Sequence, residues 1–395
     1  MMNRIKFFLI PALIFSFFLT AKEDLLTTKV NKKIRVLIEK DASEALLEVR
    51  GPYYIFNSFD RSKVSSGLLG KRFIVHATPN GLRWGGVYPG VHQITISPRS
   101  PDTAILIDGI QYDGDILVYR VGNKICVVNQ LPIESYIKSI LTQEFTIPLD
   151  NEVLSSIAIA ARTTAYYHAT KHEGALWDVK AEDVSYQGKA LIIEDSALIS
   201  AIDATKNLIL LNSVDGKHVP FVAKWNEHSA GKTAALNVIY RKDQQAPAIG
   251  VEAQHAALDR DESKWTLSIP VNEFAKLVHV SEDIRAIDTY TDPQSGKIYG
   301  IRCKYSQDST DIDFFALQTA LGKDRLRSND FRVEIKNSTV VFTGHGIGDG
   351  VGICLYSASA MAQNGDMAVK ILSKFFPETF LVNLSATAQI ADNQE

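Results

Sequence analysis

The sequence predicts an α+β fold with an antiparallel β-rich N-terminal part, a helical core and a mixed second lobe. Three observations carry this. The 395 residues are 46% hydrophobic and 22% charged, an ordinary globular composition that excludes disorder, collagen-like repeats and a disulfide-stapled miniprotein. Residues 34–129 hold short β-type runs punctuated by Gly, Asn, Asp and Pro. Beyond residue 131 the apolar period lengthens, and helices and strands are segregated rather than alternating. The length suggests two or three domains.

The chain opens with Arg4 and Lys6, then an apolar run Phe7–Leu19 and the small residue Ala21. That is signal-peptide anatomy, so residues 1–21 are expected to be a leader and the protein exported. A spanning helix needs about 20 apolar residues, and no later stretch supplies them. The β-rich region covers 22–128, with eight runs: IRVLIE, ALLEVR, YYIFN, KRFIVHAT, HQITIS, AILIDG, ILVYR and KICVVN. Pro132 then stands at a helix start, and Tyr136, Ile137, Ile140 and Leu141 repeat at helical spacing. A longer helix is expected over 151–172 and a third over 196–206, followed by a hairpin turning at Asp215-Gly216. Residues 232–330, within a core of 129–395, read as a smaller lobe. One strand, RVEIKNSTVVF, leads into a glycine run and a last helical stretch, ICLYSASAMA.

Net charge is −3, or −5 without Arg4 and Lys6, and no basic stripe is visible, so nucleic acid is not an expected partner. Cys126, Cys303 and Cys354 lack CxxC spacing, although an exported chain could pair two of them. The run Gly344-His-Gly-Ile-Gly-Asp-Gly-Val-Gly352 imitates a dinucleotide fingerprint, yet only 43 residues follow it and Asp349 would repel a pyrophosphate. A tight glycine turn is the better reading. His168 and His172 share a helix face without a third ligand, and Cys354 with His345 lacks an orienting group. Glu144 ends the first helix beside Phe145, Ile147 and Pro148. Apolar neighbours would raise its pKa and suit it to donate a proton.

The segment Asn129-Gln-Leu-Pro-Ile-Glu-Ser-Tyr-Ile-Lys-Ser-Ile-Leu-Thr-Gln-Glu144 resembles the signature of the stage II sporulation protein D family. Glu152-Val-Leu, Ala158-Ile-Ala-Ala-Arg-Thr163, Tyr186-Gln-Gly188, Ser229-Ala-Gly-Lys-Thr233, Leu326-Arg-Ser328 and Tyr356-Ser-Ala358 extend the likeness in family order. The resemblance implies a lytic transglycosylase that acts on peptidoglycan glycan strands in cell-wall remodelling. It cuts between N-acetylmuramic acid and N-acetylglucosamine, closing a 1,6-anhydro ring, with Glu144 as general acid and base. It also implies Arg162, Tyr186, Ser229, His345 and Asp349 at the substrate cleft. Amidase-enhancer relatives imply a second reading, a non-catalytic wall-binding protein that recruits an N-acetylmuramoyl-L-alanine amidase. The chain departs from the family pattern at Ile157 and Val184, where glutamines are usual, and at Asp349 and Ile353–Leu355 in the glycine run. Zinc in some members uses cysteines near the Tyr-x-Gly segment. None lies there, so neither metal nor cofactor is expected.

Overall fold

The computed structural model describes residues 33–385 except 143, 146, 147, 172, 173, 191, 194, 195 and 243. The leader segment, and His172 of the histidine pair, lie outside the described residues. The chain divides into two compact units: one is built from residues up to 148, 164–208 and 383 onward, the other from 149–163 and 209–382.

The first unit is a β-sandwich carrying helices. Its strands are β1 (Lys33–Ala42), β2 (Glu44–Arg50), β3 (Tyr53–Asn57), β4 (Lys63–Gly67), β5 (Lys71–Thr78), β6 (Gly81–Trp84), β7 (Gly86–Pro89), β8 (Gln93–Pro98), β9 (Ala104–Ile107), β10 (Ile110–Tyr112), β11 (Asp115–Val121), β12 (Lys124–Pro132) and β13 (Val179–Lys180). One sheet runs β13-β1-β12-β11-β8-β3-β4 and the other β10-β9-β2-β5-β6-β7. Alternating burial, as in Glu44–Arg50, gives each sheet an apolar inner face. Tyr53 of the first sheet meets Trp84 of the second at 5.6 Å between ring centroids, and the Trp84 indole donates to the Leu47 carbonyl. All eight expected runs are strands. The other five, β4, β6, β7, β10 and β13, are at most five residues long, too short for an alternating pattern to stand out.

From β12 the chain turns directly into α1 (Ile133–Leu141), whose first residue follows Pro132. Proline fixes φ and has no N–H to lose there. The helices α2 (Asn151–Lys171) and α3 (Ala197–Ala204) fall within a residue or two of expectation. Helix α2 contributes its first part to the second unit and its last part to the first.

In the second unit, β14 (Leu208–Val214) and β15 (Lys217–Val219) form the expected hairpin, and β16 (Trp225–Asn226) follows. Then come α4 (Leu236–Tyr240), α5 (Gln254–Leu258), β17 (Lys264–Pro270), α6 (Val271–Leu277), β18 (Ala286–Thr291), β19 (Ile298–Lys304), β20 (Ser309–Asp313) and α7 (Phe314–Leu321). The chain continues through β21 (Phe331–Lys336), β22 (Thr339–His345), β23 (Ile353–Cys354), α8 (Leu355–Gln363), α9 (Ala368–Phe375) and β24 (Phe380–Asn383). A core of Trp265, Ile269, Phe274, Phe314, Leu317 and Phe342 sits beneath the β17-β22-β21 and β18-β19-β20 sheets.

Two expectations need correction. The single strand expected over RVEIKNSTVVF is a hairpin, β21–β22, turning at Asn337 (φ 46°) and Ser338 (φ 59°). Both are left-handed, the geometry of a type I′ turn, and Asn-Ser signals that turn less plainly than Asn-Gly. No cysteine pair forms: all three are free and buried.

Candidate active site

In the first unit the motif residues build a mount for α1. Asn129, fully buried, donates from Nδ2 to the carbonyls of Asp113 (2.7 Å) and Asp115 (3.0 Å), and its Oδ1 accepts the Tyr186 hydroxyl at 2.5 Å. The Tyr186 ring lies between Tyr112 and Tyr136, with centroids 6.0 and 5.9 Å away. Burial drives the pKa of all three phenols upward, Tyr112 to about 12, so each stays protonated. Ser139 of α1 donates to the carbonyl of Gly188, which excludes a side chain: its φ is +57° and a Cβ on it would stand 2.4 Å from the Gln111 carbonyl. On the other side of α1, Lys138 pairs with Asp203 of α3 and Glu134 accepts from the Asn207 N–H.

Glu144 follows α1 three residues beyond its last residue, Leu141. The Glu144 N–H closes a turn on the Leu141 carbonyl (3.1 Å), and its side chain is exposed. This corrects the expectation of a buried carboxyl: of its apolar neighbours Phe145 is half-buried and Pro148 exposed, and Ile147 lies outside the described residues. Adjacency in sequence does not enclose a side chain; burial needs elements packed across it.

In the second unit the glycine run is stitched on both sides. His228 and Ile347 exchange backbone hydrogen bonds, Ala234 N–H donates to Gly350, and Trp225-Asn226 pairs in parallel with Ile353-Cys354. Gly352 (φ +76°) passes so near the Lys224 carbonyl that a Cβ would stand 2.0 Å from it. Asp349 is spent inside the loop: Oδ1 accepts the Val351 N–H (3.0 Å), and Oδ2 accepts the Tyr240 hydroxyl, whose pKa burial raises. His345 ends β22, with Nε2 3.6 Å from Asp261, and partial burial holds its pKa below the usual value.

Beneath the loop lies an ion cluster that sequence reasoning missed. Lys297 is 1% exposed and donates to Asp330 (2.8 Å) and to the Ser229 carbonyl (2.5 Å). Arg260 grips the same carboxylate with two nitrogens, at 2.7 and 3.1 Å. Burial lowers the Lys297 pKa against the pull of Asp330. Burial would raise that of Asp330, but Lys297 and Arg260 outweigh it and hold it low. His228 accepts the Ala230 N–H at Nδ1, and burial, with Lys297 close by, favours its neutral form. Isolated Lys, Asp and Arg far apart in sequence gave no signal; only the neighbouring Ser229 turn did.

The remaining candidates are buried. Arg162 is fully buried on α2, with one nitrogen donating to the Ala158 carbonyl. Ser229 is fully buried; its N–H donates to the Cys354 sulfur, and its hydroxyl takes no partner among the described residues. Tyr186 is buried with its hydroxyl committed to Asn129. Cys354 thus meets Ser229 rather than His345. Among the described residues no three His, Cys, Asp or Glu gather to hold a metal.

The family model for the stage II sporulation protein matches residues 121–211, which include β12, α1, α2 and the Tyr186 segment. A stage II sporulation protein D of Bacillus amyloliquefaciens is 23% identical over 66% of this chain and 76% of its own length. The chain belongs to the stage II sporulation protein D family. An amidase enhancer of Bacillus subtilis is 26% identical over 74% of this chain and 47% of its own length. An uncharacterized protein of Chlamydia pneumoniae reaches 36% identity over 46% of the chain and 67% of that relative. The family's link is to the cell wall. Where the chain departs from the pattern, Ile157 is wholly buried and Val184 is half-buried in a short turn.

Proposed function

We propose that this is an exported lytic transglycosylase of the cell envelope, acting on peptidoglycan glycan strands with Glu144 as its acid and base. The observation that supports it is the exposed Glu144 carboxyl, in the turn that follows a helix held by Ser139 and Lys138. A catalytic acid must reach solvent-borne substrate yet keep a set position. Among the alternatives, Glu134 and Asp349 are occupied by Asn207 and Tyr240, which leaves Glu227 as the exposed competitor.

In the first step the Glu144 carboxyl passes its proton to the glycosidic oxygen as that C–O bond breaks and positive charge develops on the muramic ring. In the second, the C6 hydroxyl of the same residue attacks C1, and the Glu144 carboxylate takes the hydroxyl proton. One carboxyl thus serves twice and no water is consumed. A bound glycan would also desolvate the exposed carboxyl and raise its pKa, supplying what sequence neighbours do not.

The test is mass spectrometry of peptidoglycan incubated with the purified chain. Anhydro-muropeptides are expected, and Glu144→Gln should reduce them by about 10²–10⁴-fold. Reducing-end products would mean a hydrolase. No products from either protein, with equal stimulation of an amidase by both, would establish the enhancer reading instead.

A further inference from the structure

Exposed apolar side chains gather in the first unit at the corner where the chain enters β5. Leu68 and Leu69, in the link between β4 and β5, are 74% and 84% exposed. Phe73 and Ile74, the third and fourth residues of β5, point to opposite faces of the strand, yet both are about half exposed, as is Val87 on the edge strand β7. A hypothetical Cβ on Gly85 would stand 2.9 Å from the Phe73 ring, so the β6–β7 turn lies against β5. The corner is therefore a thin blade, apolar on both sides.

Its charge is as distinctive as its apolarity. Residues 51–101 carry six cations, Arg61, Lys63, Lys71, Arg72, Arg83 and Arg99, against one carboxylate, Asp60, in a chain of net charge −3. Lys71 and Arg72 on β5 and Arg83 on β6 lie at the corner itself, whereas Lys63 and Arg99 lie against Tyr54 of the other sheet. Lys71 lies 4.5 Å from the centroid of Trp84 and 5.9 Å from those of Phe73 and Tyr88. Arg83 sits opposite Val87 across β6–β7. Glu48 faces them from β2, shared between Arg50 and Arg72.

We propose that this blade docks on the surface of an anionic lipid bilayer, with Leu68, Leu69 and Phe73 entering the headgroup–acyl boundary. Apolar tips this exposed carry a cost in water that a hydrated polymer cannot relieve and an acyl boundary can. The surrounding cations match anionic headgroups, and Lys and Arg reach the interface while their stems stay apolar. This peripheral contact involves no spanning helix. It stands apart from the glycan reading and would survive its failure.

Full-length chain with Leu69→Trp places a reporter at the tip. The probes are vesicles of phosphatidylcholine alone or mixed with phosphatidylglycerol, carrying bromine on the acyl chains. The added fluorescence, compared with wild type, should shift blue and be quenched on the mixed vesicles, weakening as salt rises. Local quenching isolates this corner from any membrane affinity of the first 32 residues. Adding Leu68→Ser beside the reporter should weaken the response by about ten-fold. Three results would overturn the proposal: no quenching while the chain sediments with vesicles, equal quenching on phosphatidylcholine alone, or a concentration-dependent shift without vesicles. The last would mark the corner as a contact between copies of the chain.

Discussion

Asp330 carries the electrostatics beneath the glycine loop, because Lys297 and Arg260 have it in common. Asp330→Asn would leave two cations packed without their counter-charge, so a loss of about 3–5 kcal/mol in urea unfolding at pH 7 is expected. The folded pKa lies below the ordinary 3.8, so this stabilisation is complete above 3.8 and fades as pH falls through the folded value. The wild-type advantage over the variant should shrink in that acid window. A variant within about 0.5 kcal/mol of wild type would refute the argument. Glu144→Gln, at an exposed site, should move stability by no more than that. That Glu144 follows a helix was legible in the sequence, because α1 has helical period and a proline start. Its exposure was not, because that depends on what packs opposite.

Gly352 shows how much a loop can depend on one position. Its left-handed φ already costs about 1–2 kcal/mol for an L residue. A Cβ would also strike the Lys224 carbonyl, which accepts the Ile353 N–H in the β16–β23 pairing and cannot retreat cheaply. Gly352→Ala should therefore lower stability by more than about 3 kcal/mol, whereas Gly365→Ala, with φ +86° and open space, should cost only the backbone strain of about 1–2 kcal/mol. Calorimetry of both variants decides it, and equal losses would remove the clash from the account. The glycine run was legible as a turn from its composition. Its partners, Lys224, His228 and Ala234, were not, since they lie more than 100 residues upstream. The β21–β22 turn was missed for a local reason: Asn-Ser adopts the left-handed pair without the glycine that would announce it.

At the scale of the whole molecule, the two units are interleaved in sequence, so a linear cut cannot isolate the second. Residues 149–163 belong with 209–382: Thr163 accepts the Leu210 N–H at 2.9 Å, and Glu152 accepts the Ala368 N–H at the start of α9 at 2.7 Å. A fragment of residues 209–382 should lack fixed tertiary packing by near-ultraviolet circular dichroism. The same fragment supplied with residues 149–171 as a peptide should regain it. Full packing in the fragment alone would show that α2 is dispensable.

The sequence by itself determined the α+β class, all eight expected N-terminal strands, the first three helices and the family. Those rest on period, punctuation and short motifs, which are local properties of the chain. Only the tertiary structure decided that the Asn129, Tyr186 and Gly188 motifs mount α1, and that Lys297, Asp330 and Arg260 share one buried cluster. It also decided that Glu144 faces solvent. Burial and ion pairing join residues distant along the chain, and their free energy comes from desolvation, which no run of neighbouring letters records.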